Sequence, residues 1–182
     1  MALTFTPFPE LGNACPEFAL NSVDGQSYRL KDFSNGKPLV VMFICNHCPY
    51  VQAIEDRLIT LGNDLRAQDV HVVAICSNDA SDHPDDSLEN LRKRAADKKY
   101  PFVYLHDADQ SVAHAFGAVC TPDYFVYDKN LKLSYRGRLD DSWKDASKVT
   151  QRELFEAVQT LLRGEKVSEH QTASMGCSIK WI

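Results

Sequence analysis

Apolar positions along the chain change period several times, and each change predicts an element. Residues 39–44 form an unbroken apolar run, partly β-branched, of the length of a strand buried on both faces. After Pro49 the apolar residues Val51, Ile54, Leu58, Leu61 and Leu65 recur at steps of three and four. That spacing predicts a helix with one buried face and Pro49 in its first turn. Residues 70–75 predict a second strand, 102–105 a third, and 111–116 a short helix ended by Gly117. Asp24-Gly25 is a turn dipeptide, so 18–20 and 27–30 read as a β-hairpin. Residues 124–127 and 131–136 read as another hairpin, joined through Asp128, Lys129 and Asn130. The segment from Asp82 to Asp86 opens a helix running to about Lys99, with acids in front and Arg92, Lys93, Arg94, Lys98 and Lys99 behind. The helix dipole favours that order, and the charge run reads as a solvated face. Leu154, Phe155, Val158, Leu161 and Leu162 give a last amphipathic helix that stops near Gly164, and 164–182 reads as an irregular tail.

The resulting order is β-α-β-α, an added strand–helix segment, then β-β-α. Strands joined through helices lie parallel and a tight hairpin is antiparallel, so the α/β class follows, with a mixed central sheet flanked by helices. No repeat, low-complexity tract or Pro/Gly-rich linker divides residues 1–182, which predicts a single domain. In such sheets the reactive loop lies past the carboxyl end of a strand. Residues 45–48, Cys-Asn-His-Cys, occupy that place after the first buried strand.

With 44% apolar and 25% charged residues among 182, the composition is that of an ordinary soluble globule. The net charge of −5 argues against nucleic acid and anionic membrane surfaces as partners. The amino-terminal stretch lacks a basic region and a long apolar core, so no secretory signal is expected, and no run is long enough to predict a membrane span. Six cysteines in a chain of this length are too sparse for a disulfide scaffold. They are expected as free thiols in a reducing cytoplasm, some of them reactive.

Three readings of Cys45 and Cys48 compete: a disulfide switch, half of a metal site, and two unreactive core residues. A C-x-x-C turn at a helix start brings two sulfurs within disulfide reach, and free N–H groups there favour a thiolate. A neighbouring imidazolium at His47 would add to that effect, making His47 a tuning group. Zinc wants four ligands, and no second close Cys or His pair accompanies this one. His106 and His114 stand singly. The dithiol is therefore the favoured reading, with no metal and no organic cofactor.

Several motifs carry a family resemblance. Gly12-Asn-Ala-Cys-Pro-Glu-Phe18, Leu30-Lys-Asp-Phe33 and Gly36-Lys37 resemble the opening of the peroxiredoxin (AhpC/TSA) family, and the stretches 100–107 and 112–117 resemble its middle. Cys120-Thr-Pro-Asp-Tyr-Phe125 resembles the cis-proline loop of the thioredoxin superfamily. Together with C-N-H-C-P-Y and the G-C-S-I-K-W tail, the chain looks most like a peroxiredoxin-like thioredoxin-family protein, and the likeness spans nearly its whole length. It implies a thioredoxin-like fold with an N-terminal β-hairpin, a peroxiredoxin-like insertion, and a cis Pro122 beside the dithiol. It also implies a thiol–disulfide oxidoreductase acting through a mixed disulfide, in which thioredoxin likeness makes Cys45 the attacking thiol and Cys48 the resolver. Peroxiredoxin likeness instead makes Cys48 the peroxide-attacking cysteine. This chain departs from that pattern, with Cys45 at the usual threonine, Val41 at the usual proline and no arginine at the usual place near Pro122. It departs from thioredoxins too, with Ile44 for the tryptophan and Leu39 for the buried acid.

The implied partners are protein or small-molecule disulfides, or hydroperoxides, and a thioredoxin- or glutathione-type reductant. Thr121 and Pro122 would contact a partner's extended backbone. Cys120 and Cys177 are candidate accessory thiols, Cys15 and Cys76 structural ones, and Tyr50 and Tyr124 are expected to pack. A redox-responsive binding module without turnover, and a metal carrier using Cys45, His47 and Cys48, are the readings from other classes.

Overall fold

The computed structural model describes residues 3–182. Its strands are β1 (Leu3–Phe5), β2 (Ala19–Ser22), β3 (Ser27–Arg29), β4 (Leu39–Phe43), β5 (His71–Cys76), β6 (Val103–His106), β7 (Cys120–Thr121), β8 (Asp123–Tyr127), β9 (Leu133–Tyr135) and β10 (Met175–Ser178). Its α-helices are α1 (Pro49–Gln52), α2 (Glu55–Arg66), α3 (Leu88–Lys98), α4 (Ser111–Phe116) and α5 (Glu153–Leu162). Seven strands form a mixed sheet in the order β3-β2-β6-β5-β4-β8-β9, and β1-β10-β7 form a separate small sheet.

β4 sits at the centre, parallel to β5 and antiparallel to β8. All five of its residues are buried, as a continuous apolar run requires. Alternation sends Val40 and Met42 to one face, where they meet Leu58, Leu61 and Leu65 of α2 and Leu154 and Val158 of α5. Leu39, Val41 and Phe43 face the other way, toward Val112, Ala113 and Phe116 of α4. The mixed sheet between helices is thus the architecture that the apolar pattern implies.

Four details differ from the pattern. The helix after Pro49 is divided at Ile54 (φ −116°, ψ 2°) into α1 and α2. The acidic segment forms a 3₁₀ turn at Pro84–Asp86, and α3 starts only after Ser87, whose hydroxyl accepts the Asn90 N–H. Leu131 turns at φ 56° and lies outside the second hairpin's return strand, which is confined to β9. The tail is not irregular throughout, because β10 pairs with both β1 and β7.

The ion pair of Asp123 with Arg136 is internal. Asp123 (0% exposed) receives Arg136 Nη2 at 2.8 Å and Nε at 3.3 Å. The same guanidinium donates to the Gly117 carbonyl and lies 4.5 Å over the Phe125 ring. Burial pushes the Asp123 carboxyl above its usual range, opposed by Arg136. Removing one member of such a pair strands a buried charge. Arg136→Leu is expected to cost about 3–5 kcal/mol, read as a lower urea midpoint with an unchanged slope.

Candidate active site

The pairing of β4 with β8 places the site. Phe43 lies opposite Asp123, so the residues just before β8, Thr121 and Pro122, meet the loop that leaves β4. The Thr121–Pro122 peptide is cis, as the family resemblance implies. Cys48 precedes a proline and is therefore held extended (φ −72°, ψ 120°), with Pro49 as the first residue of α1. Cys45 Sγ lies 3.3 Å from the Thr121 hydroxyl, and Cys48 Sγ donates to the Thr121 carbonyl at 3.1 Å. Both thiols are free and shut away, at 2% and 0% exposure. Thr121 is the residue they share.

The loop is held from below by Asp86, which is 0% exposed. Its Oδ1 accepts the backbone N–H groups of Asn46 (2.7 Å) and His47 (3.2 Å). Its Oδ2 contacts His47 Nδ1 (2.5 Å) and accepts Asn78 Nδ2 (2.8 Å). The Asn46 side chain donates to the Asp85 and Asn90 carbonyls, and Gln52 donates back to the Asn46 carbonyl. His47 stacks on His83 at 4.2 Å, with its Nδ1 3.8 Å from Cys45 Sγ. The imidazole thus bridges a carboxylate and a thiol. Asp86, His83, Asn46 and Asn78 were not among the residues that the sequence singled out. Nothing in the run of acids at 82–86 distinguishes Asp86 from its exposed neighbours.

The two sulfurs have different environments. At Cys48 the Cys45 thiol is the leading influence, followed by Thr121 and the backbone N–H groups of Cys177 and Val51. The Thr121 carbonyl pulls the other way by accepting the thiol proton, but several donors face one acceptor. Cys48 is accordingly lowered to about 5, against burial. Cys45 is raised, by its bond to Cys48, by burial and by the Asp86 carboxylate. The low-pKa sulfur is thus the second of the pair, whereas thioredoxin likeness implies the first as attacker.

Of the accessory cysteines, Cys177 sits in β10 directly opposite Thr121, and burial and then Cys48 push its thiol up to about 12. Cys120 alternates with Thr121 along β7, so its side chain leaves on the opposite face and reaches the Pro122 carbonyl at 3.7 Å. Burial pushes it well up as well. Cys15 and Cys76 are buried with raised pKa values, and Cys76 shares the apolar cluster of the pair. Tyr124 is buried and Tyr50 packs on Trp143 at 4.9 Å, beside a groove reaching Pro122. His106 lies on β6, and His114 stacks on Trp181 at 4.3 Å.

Among the described residues the group able to hold a metal is Cys45, His47 and Asp86, whose ligand atoms lie within 4.8 Å of one another. Cys48 is not in that group. A carboxylate has about four acceptor sites, and Asp86 already has four polar contacts. The fit to a metal is poor. No helix among the described residues is long and apolar enough to cross a membrane.

The AhpC/TSA family model matches residues 11–136. An uncharacterised conserved protein from Geobacillus kaustophilus is 45% identical, with a TM-score of 0.93 over 100% of this chain and 97% of that one. A hypothetical protein from Sinorhizobium meliloti 1021 is 39% identical, with a TM-score of 0.94 over 98% of each chain. A peroxidoxin from Mycobacterium tuberculosis shares the fold at 19% identity, with a TM-score of 0.62 over 84% of this chain and 96% of that one. No curated protein matches.

Asp86→Ala leaves the buried donors of Asn46, His47 and Asn78 without their acceptor, and a loss of about 3 kcal/mol or more is expected in chemical denaturation. Asp86→Asn removes the charge that raises Cys45, so its thiol should titrate lower while Cys48 stays low. Thiolate absorbance of the reduced protein should rise with a midpoint of about 5 and lose that step in Cys48→Ser. The folded value lies below that of an unfolded thiol, so this contribution to stability is complete above the unfolded pKa and is lost as pH falls through the folded one. The thermal midpoint of reduced wild type relative to Cys48→Ser should therefore decline steadily from about pH 8 to about pH 5.

Proposed function

The chain belongs to the AhpC/TSA family, and from that premise we propose that it is a thiol–disulfide oxidoreductase whose redox pair is Cys45 and Cys48. The observation that carries this reading is the meeting of both sulfurs on Thr121, at 3.3 and 3.1 Å. Cys48, the low-pKa sulfur, is the entering nucleophile. Its thiolate attacks one sulfur of a substrate disulfide, forming a mixed disulfide and expelling one thiolate. Cys45 then gives its proton to the His47–Asp86 pair and attacks Cys48. The second substrate thiolate leaves, and a Cys45–Cys48 disulfide remains. Two electrons from a thioredoxin- or glutathione-type reductant restore the dithiol. In this scheme His47 tunes and deprotonates Cys45, and Thr121 and Pro122 fix the two sulfurs relative to the incoming chain.

Hydroperoxide reduction is the second reading, favoured by the depressed pKa of Cys48. Against it, three arginines are engaged elsewhere: Arg136 and Arg138, which follow β9, with Asp123 and Glu153, and Arg57 of α2 with Asp140. A peroxide oxygen then has no guanidinium among these to polarise it.

The test is catalytic reduction of a protein disulfide such as insulin, run beside hydrogen peroxide consumption, each with a recycling reductant. Disulfide turnover that falls to background in both Cys45→Ser and Cys48→Ser, with peroxide consumption no faster than that of a free thiolate, is the expected outcome. Fast peroxide consumption that survives in Cys45→Ser would assign the chemistry to Cys48 alone. Absence of turnover in both assays, with partner binding altered by oxidation, would replace the enzyme with a redox-responsive module.

A further inference from the structure

Both reactive sulfurs are covered, and β10 is part of the cover over Cys48. Its register with β7 is antiparallel, Cys177 opposite Thr121 and Ser178 opposite Cys120. Directly opposed residues share a face, and the Thr121 hydroxyl already points at Cys45. The Cys177 side chain therefore leaves on the face that carries the two sulfurs, and Ser178 with Cys120 on the other. Cys177 and Cys48 are near enough to act on each other's ionisation, the Cys177 backbone N–H favouring the Cys48 thiolate and Cys48 pushing the Cys177 thiol up.

This closeness is built in by the sequence around it. A Cβ on Gly176 would fall 1.9 Å from the Thr121 carbonyl oxygen, so only glycine lets the strand lie so close to β7. Beyond the strand, Lys180 N–H donates to Asn78 Oδ1 and Ile182 N–H to Gln110 Oε1, both at 2.9 Å. Before it, the Ser174 hydroxyl donates to the Pro122 carbonyl at 2.9 Å. Asn78 also bonds Asp86, which ties the tail to the loop that bears Cys45.

We propose that Cys177 is a third redox thiol, which exchanges into the disulfide at Cys48. The proposal rests on Cys45 and Cys48 being a redox pair. Cys177 attacks the Cys48 sulfur of the Cys45–Cys48 disulfide. A Cys48–Cys177 bond forms, the Cys45–Cys48 bond breaks, and Cys45 leaves as a thiolate that takes up the proton given up by Cys177. No electron is gained or lost, so no further oxidant is needed. The product staples β10 to the start of α1 and returns a free thiol at Cys45, while β10 keeps the β7 edge that an extended peptide would need.

The experiment uses wild type, Cys45→Ser and Cys45→Ser/Cys177→Ser, each reduced, treated with glutathione disulfide, quenched with acid and alkylated, and mapped by mass spectrometry. The expected result is a Cys48–Cys177 link as the main product of Cys45→Ser, and the same link beside Cys45–Cys48 in wild type. The double variant should stop at a glutathione adduct on Cys48. Each link forms by release of two glutathione thiols, one at entry and one at closure. Overturning results are Cys45→Ser that keeps the adduct with Cys177 alkylated, or a wild-type map containing Cys45–Cys48 alone. Either removes the exchange and leaves the dithiol standing. A wild-type map with neither link removes both. Gly176→Val, which pushes β10 off Thr121, should lower the Cys48–Cys177 yield at least tenfold with Cys45–Cys48 retained, and an unchanged yield contradicts the role of the strand.

Discussion

The carboxylate of Asp86 has no access to water, and the site is organised around that fact. A loop leaving the end of a central strand has backbone N–H groups with no strand partner, and burial makes them costly if left unpaired. Asp86 accepts two of them and holds the His47 ring, and it is itself held by Asn78. Its charge then acts on the chemistry by raising Cys45. One buried anion thus shapes the loop and adds to a difference between the two cysteines that their mutual interaction and burial set up. A neutral side chain of similar shape would keep part of the first effect and none of the second.

Much of the frame is legible in the sequence because its signals are local. The run at 39–44 needs no partner to read as a buried strand, and the spacing from Val51 to Leu65 needs none to read as a helix. The position of Cys45 and Cys48 after the first buried strand follows from those two elements. What is not legible depends on distant partners. Met175–Ser178 is short, contains a glycine and pairs with β1 and β7, which lie far off in the chain. Asp86 looks like any acid near a helix start until the fold turns it under residue 46. The unequal environments of the two sulfurs are equally hidden, since the Cys177 N–H comes from the far end of the chain.

Two of the buried carboxylates, Asp123 and Asp86, solve one problem differently. Asp123 is paired with a guanidinium, so the pair is neutral and its work is architectural, at the start of β8. Asp86 is satisfied mainly by neutral amide donors and an imidazole, so its charge remains felt by its neighbours. Paired charge near Pro122 and partly unpaired charge near Cys45 give the two sides of the dithiol opposite electrostatic characters.

The small sheet shares no strand with the large one. β10 can come away from β1 and β7 without breaking a ladder in the seven-stranded sheet that carries the core, so its release is a local opening and not a step of global unfolding. The closure entropy for contacts between the two ends of the chain is also the largest in the molecule. The sulfurs lie where the small sheet meets the large one, with Cys177 of β10 in the same apolar cluster as Cys45 and Cys48. Fraying of this short strand is therefore a motion that uncovers Cys48 at less cost than global unfolding.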